Sequence, residues 1–463
     1  MGVNCLFFYS HSLTLRYIRT NVLTHSRMLI QELYELYLKA GCVVTTDSRN
    51  CPSGSMFFAL KGERFDGNRY AHSAIGQGCS FAVVHDKIVV ADSRYILVDN
   101  VLSTLRELAR YHRNVLGVPV LGITGTNGKT TTKELVAAVL SRKYNVLYTH
   151  GNLNNSIGVP LTVLGLRKEH NFAVVEMGAS HPGDIEELVN VCCPDFGLIT
   201  NVGHAHLQGF GSFEGVKKTK GELYDFLKKK DAHKVFVLSD SSDLMEMSSG
   251  MDRILYGRSN GAVCGKVSAG NSVFLEFEWN SEKFSIGNRF VKTNLVGSYN
   301  LDNVLAAITV GLYFDVPVED IEKAVREYVP SNNRSQFCKT ENNTLIVDAY
   351  NANPTSMYAA LSNFSTIKSD NKMVILGAMR ELGVYSEDEH IQVIRQLSCM
   401  NLDKVWLIGP EFLAVRSCAP AGFVFYESTD VMAETLRSQH LKGYTILLKG
   451  SNSNNLSGVV DLL

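Results

Sequence analysis

The sequence predicts an α/β protein of three domains, and three observations carry that expectation. The chain has 463 residues, 45% of them are apolar against 20% charged, and short apolar runs alternate with helix-like segments along most of its length. One domain per roughly 150 residues gives about three. Such an apolar share is what sizeable buried cores need and what disordered chains lack. The expected division is an extension over 1–27, a small α/β domain over 28–103, a central domain with a P-loop-type, mainly parallel sheet over 104–329, and a Rossmann-like, doubly wound C-terminal domain over 330–463.

Each part follows from local pattern. Cys5 to Tyr9 is apolar, but Arg16 and Arg19 follow without a small-residue cleavage pattern, which argues against a secretory signal. Gly2 would suit myristoylation, yet Leu6 stands where Ser or Thr is wanted. Residues 1–27 are therefore expected to be dispensable, with Met28 as the functional start and an amphipathic helix running from it to Leu36. Apolar runs from Met56 to Leu60, Phe81 to Val84 and Tyr95 to Val98, broken by Gly and polar turns, read as strands of the first domain. Helical spacing through Leu102, Leu105, Leu108 and Ala109 leads into a strand from Val118 to Ile123. Phe172 to Glu176 and Phe196 to Thr200 continue the central sheet. The polar stretch Ser331 to Arg334 reads as a hinge, and strands from Thr344, Met373, Val405 and Thr445 alternate with helices beyond it.

Charge and cysteine usage narrow the partners. Lys and Arg number 45 and Asp and Glu 46, a net charge of -1, so no global field would hold a nucleic acid or an acidic membrane surface. The ten cysteines form no CxxC pair, and only Cys192 and Cys193 adjoin, which fits a reducing cytoplasm. No run of about 18 apolar residues is present to span a bilayer. A monomer is expected.

The strand ending at Ile123 runs into Gly125-Thr126-Asn127-Gly128-Lys129-Thr130-Thr131 and then a helix with Leu135, Val136, Val139 and Leu140 on one face. Strand, glycine loop and helix N-terminus together cradle phosphate: Gly125 and Gly128 admit the backbone, the first N–H groups are unpaired, and Lys129 adds a cation. Thr130 offers a hydroxyl to magnesium. The strict GxxxxGK[ST] spacing is not met, because Ile123 occupies the position six before Lys129. The alternative is a Gly-rich turn with an incidental lysine.

Glu176 ends an apolar strand, where a carboxylate needs a cation or donors. A magnesium site is expected there, a helix cap being the alternative. His204 and His206 follow the next strand, and one of the two is expected to face the same crevice. From Ser212 to Leu227 a helical wheel puts Phe213, Val216, Leu223, Tyr224 and Leu227 on one stripe, with Lys220 at its centre and Lys218 pointing away. A buried lysine loses protons easily, and its neutral amine can add carbon dioxide to give an anionic carbamate. The alternative is a side chain that snorkels to solvent.

Those residues, with Thr46-Asp47-Ser48-Arg49, Ala59 to Gly67, Gly151-Asn152-Leu153-Asn154-Asn155, Ala205-His206-Leu207 and Asp348-Ala349-Tyr350-Asn351-Ala352-Asn353-Pro354, resemble the Mur ligase family over almost the whole chain from Met28. The resemblance is closest to the branch that joins D-alanyl-D-alanine to UDP-N-acetylmuramoyl-tripeptide in peptidoglycan precursor synthesis. It implies an ATP-dependent ligase working through an acyl phosphate, with two Mg2+ ions held by Thr130, Glu176, His206 and a carbamate on Lys220. It implies Asn300 and Asn303 near adenine, and Arg334 and Asp348 at the phosphates and ribose. The precursor's uridine diphosphate end would meet Ser48, Arg49, Lys61, Gly62, Arg64 and Phe65. The muramoyl-peptide path would run along Asn152, Asn154 and Asn155, with Tyr350 and Asn351 as further substrate contacts. Two departures stand out: Ser331-Asn332-Asn333-Arg334 where many relatives have Pro-Gly-Arg, and Asn452 where many have arginine. The competing readings are a sister ligase adding another amino acid, or a folylpolyglutamate-type one, and a nucleotide-binding homologue without catalysis.

Overall fold

The computed structural model describes residues 29–230, 233–269, 272–331 and 334–463. The expected extension and the start at Met28 lie outside them, as do Asn332 and Asn333 of the expected hinge. The chain forms two compact units: one runs to Gly117 and takes in Pro160–Arg167, the other holds Val118–Val159 and Lys168–Leu463.

In the first unit, β1 (Val44–Thr45), β2 (Met56–Phe58), β3 (Phe81–Val84) and β4 (Tyr95–Leu97) pair in that order, all parallel. Helix Ile30–Lys39 buries Leu33, Tyr34 and Tyr37. Tyr34 meets Tyr111 of helix Val101–Leu116 edge-on, with ring centroids 5.0 Å apart. Asn100 starts that second helix by accepting from the Ser103 N–H, and Gly117 ends it in the left-handed conformation. The expected boundary at residue 103 thus falls inside a helix that belongs whole to the first unit. The segment Pro160–Arg167 joins it too, because Tyr37 donates to the Leu164 carbonyl at 2.6 Å and His112 Nε2 bonds that of Leu166 at 3.0 Å. The segment lies within the expected central domain in sequence and packs with the first unit in space.

The second unit carries two sheets. The larger comprises β5 (Val120–Thr124), β6 (Val146–Tyr148), β7 (Phe172–Glu176), β8 (Phe196–Ile199), β9 (Lys234–Leu238), β10 (Arg253–Gly257), β11 (Val263–Val267), β12 (Phe274–Ser281) and β13 (Ile286–Val296). Their order is β13-β12-β11-β10-β9-β8-β5-β7-β6, parallel from β11 to β6 and antiparallel at β12 and β13. All five residues of β5 and of β7 are buried, as central parallel strands require. The chain leaves β5 toward β6 on one side and later returns as β8 on the other, so the carboxyl end of β5 is a switch point where such sheets bind ligands.

The other sheet holds β14 (Gln336–Lys339), β15 (Thr344–Asp348), β16 (Lys372–Gly377), β17 (Lys404–Ile408), β18 (Phe423–Tyr426) and β19 (Thr445–Lys449), in the order β14-β15-β19-β16-β17-β18. Only β14 is antiparallel to its neighbour. Val374, Leu376 and Leu407 enter one apolar core while Met373, Ile375, Trp406 and Ile408 enter another. Alternate residues thus feed opposite faces, and the domain is doubly wound.

Candidate active site

The loop after β5 begins the site. Gly125 has φ +139°, and a Cβ there would stand 2.1 Å from Thr200 Oγ1 and 3.0 Å from the Thr200 amide. Gly128, at φ +76°, opens helix Lys129–Leu140, and a Cβ on it would stand 2.5 Å from Asn303 Oδ1. Both positions need glycine on grounds of space and of conformation. The strand β8 edge holds the loop in place: the Thr126 amide donates to the Asn201 carbonyl at 2.9 Å, the Asn127 amide to Asn201 Oδ1 at 2.9 Å, and Thr200 Oγ1 to the Asn127 carbonyl at 2.6 Å. Lys129 Nζ curls back to the carbonyls of Gly125 and Thr126 at 2.7 and 2.9 Å. Burial pulls its pKa down to about 8, while Glu176 opposes that shift and Arg334 adds to it.

Glu176, 1% exposed, is the carboxyl end of β7. Its Oε1 accepts from Thr130 Oγ1 at 3.1 Å and from Asn154 Nδ2 at 2.8 Å. Its Oε2 is buried with no hydrogen-bond partner. A buried carboxylate oxygen left over beside a threonine hydroxyl is a donor set that fits a hard divalent cation, which takes few protein oxygens and completes its shell with phosphate and water. Among the described residues no group of three or more His, Cys, Asp and Glu gathers to form a metal cage. Glu176 is not the helix cap considered as its alternative.

His206 has φ +50° and precedes the short helix Leu207–Phe210. Its Nδ1 contacts the Glu381 carboxylate, which arrives from the loop after β16. Burial lowers the His206 pKa, against the pull of Glu381. His204 is exposed, with its amide donating to Thr355 Oγ1 at 3.2 Å and its ring 5.2 Å from that of Phe213. Helix Phe213–Lys228, capped by Ser212, buries Val216, Leu223, Tyr224 and Leu227 together with Lys220, which is 2% exposed. Lys218 faces solvent, so the lysine does not snorkel out. Lys220 Nζ lies 5.2 Å from the centre of the Phe210 ring, and burial, then the charge on Lys129, bring its pKa down to about 7.

Lys129, Glu176 and His206 meet at a cavity of about 770 Å³ at the carboxyl edge of the larger sheet, with the second sheet forming its other wall. Of the expected site residues, Thr126, Asn127, Gly128, Lys129 and Thr131 line it from the loop, and Asn154, Asn155, Glu176 and His206 from neighbouring strand ends. Asn300 and Asn303 line it from the start of helix Leu301–Tyr313; they bond each other at 2.9 Å, and Asn303 Oδ1 takes the Thr132 hydroxyl at 3.0 Å. Arg334, Asp348, Tyr350 and Asn351 line it from the second sheet. The Arg334 guanidinium stacks 3.9 Å from the centre of the Tyr350 ring, and its Nε is buried without a partner. Gly125, Thr130 and Lys220 are not part of this lining, although Thr130 bonds Glu176, which is; Lys220 packs on Phe210, and Asn152 is exposed.

Ser48, Arg49, Lys61, Gly62, Arg64 and Phe65 belong to the first unit. They follow β1 and β2, adjacent parallel strands, and so share one sheet edge. Arg49 pairs with Asp47 at 2.8 Å, Gly62 donates to the Phe65 carbonyl at 2.8 Å, and the Phe65 ring stacks on Tyr70 with centroids 5.3 Å apart.

Among the residues given no individual role from sequence, Asn201, Glu381 and Lys449 line the cavity and Asn353 lies beside it, bonded to Asn127. Asn201 clamps the phosphate loop, Glu381 holds His206, and Lys449, 1% exposed, pairs with Asp348 at 2.5 Å. Asn353 Nδ2 donates to Asn127 Oδ1 at 2.8 Å while its own Oδ1 caps helix Pro354–Thr366. Ser356 three residues after Asn353 was a readable capping signal; the other three have none.

Three family models match the chain: the Mur ligase family catalytic domain over residues 43–122, the Mur ligase middle domain over 123–311, and the Mur ligase glutamate ligase domain over 333–452. The UDP-N-acetylmuramoyl-tripeptide--D-alanyl-D-alanine ligase of Bacillus subtilis (strain 168) is 34% identical over 434 residues, covering 90% of this chain and 92% of that protein. The enzyme of the same name from Escherichia coli (strain K12) is 33% identical over 427 residues, covering 91% and 93%. Among solved structures, MurF from Acinetobacter baumannii superposes with a TM-score of 0.81 at 30% identity, over 90% of this chain and 92% of that one. MurF ligase from Thermotoga maritima in complex with ADP gives 0.80 at 27%, over 91% and 96%. A glycine loop, a strand-end glutamate and an arginine from a second sheet around one cavity, in a chain matched by all three domain families in order, lead to one conclusion: the chain belongs to the Mur ligase family.

Proposed function

We propose that this chain is an ATP-dependent ligase that joins D-alanyl-D-alanine to the terminal carboxylate of UDP-N-acetylmuramoyl-tripeptide, a step of peptidoglycan precursor synthesis. The single observation that carries this is the similarity, over 90% of the chain, to ligases of that name, with the glycine loop, Glu176, His206 and Arg334 lining one cavity. A carboxylate is a poor electrophile, so the γ-phosphoryl group of ATP is first transferred to it, giving an acyl phosphate. The amine of D-alanyl-D-alanine then attacks the acyl carbon, and phosphate leaves. The chain's own part is to bind, neutralise and exclude water.

The first N–H groups of helix Lys129–Leu140 and the Lys129 ammonium take the phosphates. Arg334 unstacks from Tyr350 to add its charge as the γ-phosphoryl moves, which its unpartnered Nε permits. Asp348, held by Lys449, accepts from the ribose, and Asn300 and Asn303 border adenine. Thr130, Glu176, His206 and a carbamate on Lys220 would hold two Mg2+ ions, which when bound offset charge on the phosphates. The Lys220 amine suits carbamate formation because at a pKa of about 7 it is largely neutral near physiological pH. The first unit's Ser48, Arg49 and Lys61 to Phe65 edge would take the uridine diphosphate end, with Asn152, Asn154 and Asn155 along the peptide path. We place the enzyme in the cytoplasm as a monomer; among the described residues no helix is long and apolar enough to cross a membrane.

Phosphate release from ATP tests the proposal. It is expected only when the tripeptide precursor and D-alanyl-D-alanine are both present, and Lys220→Ala should cut it by about 100-fold or more. Release with a single amino acid or glutamate in place of the dipeptide would assign the chain to a sister activity. Equal, negligible turnover of wild type and Lys220→Ala, with ATP still bound, would make it a non-catalytic homologue.

A further inference from the structure

Glu381 sits apart from the phosphate loop in sequence and belongs to the other sheet, yet its carboxylate meets Nδ1 of His206. Several observations converge on that contact. Glu381 has φ +62°, an uncommon conformation for a glutamate, and His206 has φ +50°. The two loops are tied by the backbone as well, since the Gln208 amide donates to the Glu381 carbonyl at 3.3 Å. Gly383, at φ +56°, brings its loop to within ordinary contact distance of the Gln208 side chain. Both side chains line the cavity, and Glu381 is more than half exposed there, so the contact is not the by-product of a packed core.

A carboxylate can only accept at this position, so Nδ1 must carry the ring proton and Nε2 is left as the lone-pair nitrogen. That is how an outer carboxylate orients a metal-binding histidine. We propose that Glu381 is a positioning residue for His206, fixing its tautomer and ring orientation for the cation, and that the second sheet thereby completes the cation site of the first. This rests on the reading of His206 as a metal ligand. It gives the cation a reason to favour the two sheets in this arrangement, because the sheet that brings Arg334 also brings Glu381.

Two measurements on the full chain test it. In the metal-free protein, 15N NMR of the histidines should find His206 as the Nδ1–H tautomer, and Glu381→Ala should move it toward Nε2–H; an unchanged tautomer in the variant overturns the proposal. Mn2+ binding, followed by electron paramagnetic resonance with a non-hydrolysable ATP analogue present, should weaken about 10–100-fold in Glu381→Ala and less in Glu381→Gln, which still accepts a hydrogen bond. His206→Ala should weaken it at least as much, and the double variant no further. Wild-type Mn2+ affinity in Glu381→Ala beside weakened binding in His206→Ala would remove Glu381 and leave His206 as a ligand. Wild-type affinity in His206→Ala would remove the ligand reading and this inference with it. Fully additive losses would show that Glu381 acts elsewhere, against the proposal.

Discussion

His390 shows how one buried side chain writes a pH dependence into the fold. It is fully buried, its Nδ1 bonds the Ser386 carbonyl at 2.7 Å, and its Nε2 accepts from the Met379 amide at 3.1 Å. One nitrogen must donate and the other accept, so only the neutral ring fits. Burial accordingly holds its pKa below the ordinary 6.5, as it does for His112 in the first unit. The unfolded chain takes up these protons and the folded one resists, so stability is full above pH 6.5 and falls as the pH drops below it. Urea denaturation at pH 7.5 and 5.5 should show that loss, and His390→Leu should start about 1–3 kcal/mol lower with a shallower pH slope, its Met379 amide left unpaired. An unchanged slope would refute the assignment to His390. The Lys449 and Asp348 pair makes a second case. Removing the buried cation strands a carboxylate, so Lys449→Met should cost up to about 3–5 kcal/mol in thermal or chemical denaturation. The same experiment on Lys449→Arg, which keeps the charge, should recover part of it.

The phosphate loop is an element whose shape its neighbours enforce. A methyl group at Gly125 would strike Thr200 Oγ1, which bonds the Asn127 carbonyl, and crowd the amides of Thr200 and Asn201, the two residues whose oxygens hold the loop. Gly125→Ala should therefore weaken binding of an ATP analogue by about tenfold or more in calorimetry, roughly 1.4 kcal/mol, while the sheet stays folded by circular dichroism. Wild-type affinity would mean that the loop yields where the packing says it cannot. This loop was legible in the sequence because strand, glycines and helix are consecutive, and Lys220 was legible because helical phase alone placed it inward. The antiparallel strand β12 carried a readable signal too: Phe274–Ser281 alternates half-buried and buried residues without exception, yet the alternation of helices with parallel strands drew attention away from it. Glu381, Lys449 and Asn201 were not legible. Each acts through a partner distant in the chain, and nothing in its local pattern marks it. The packing of Pro160–Arg167 was not legible for a related reason, since the hydrogen bonds that draw it to Tyr37 and His112 span more than 50 residues.

Within the second unit the two sheets meet through apolar packing, as of Phe274 on Phe337, and through polar contacts around the cavity. Asn127 and Asn353 exchange amide hydrogen bonds, Tyr299 and Ser335 share one at 2.6 Å, and the His204 amide reaches Thr355. Polar contacts around a cavity suit surfaces that part and rejoin during turnover, with nucleotide as the ligand that favours their union. Asn353 joins two of the tasks involved, because the oxygen that caps helix Pro354–Thr366 belongs to the amide that holds the phosphate loop. Substitution can separate them. Asn353→Ala loses the cap, about 1 kcal/mol, and also the tie to Asn127. Asn353→Ser keeps an oxygen able to cap but is too short to restore the amide exchange. Without ligand, Asn353→Ala should melt a few degrees below wild type and Asn353→Ser should lie between them. At a free concentration of about 100 Kd, an ATP analogue with magnesium should stabilise the wild type by about 2.7 kcal/mol. At that same fixed concentration both variants should gain less, because each binds the nucleotide with the sheets less firmly joined. If Asn353→Ser gains as much as wild type, the tie to Asn127 contributes nothing to closure, and the helix cap accounts for everything Asn353 does.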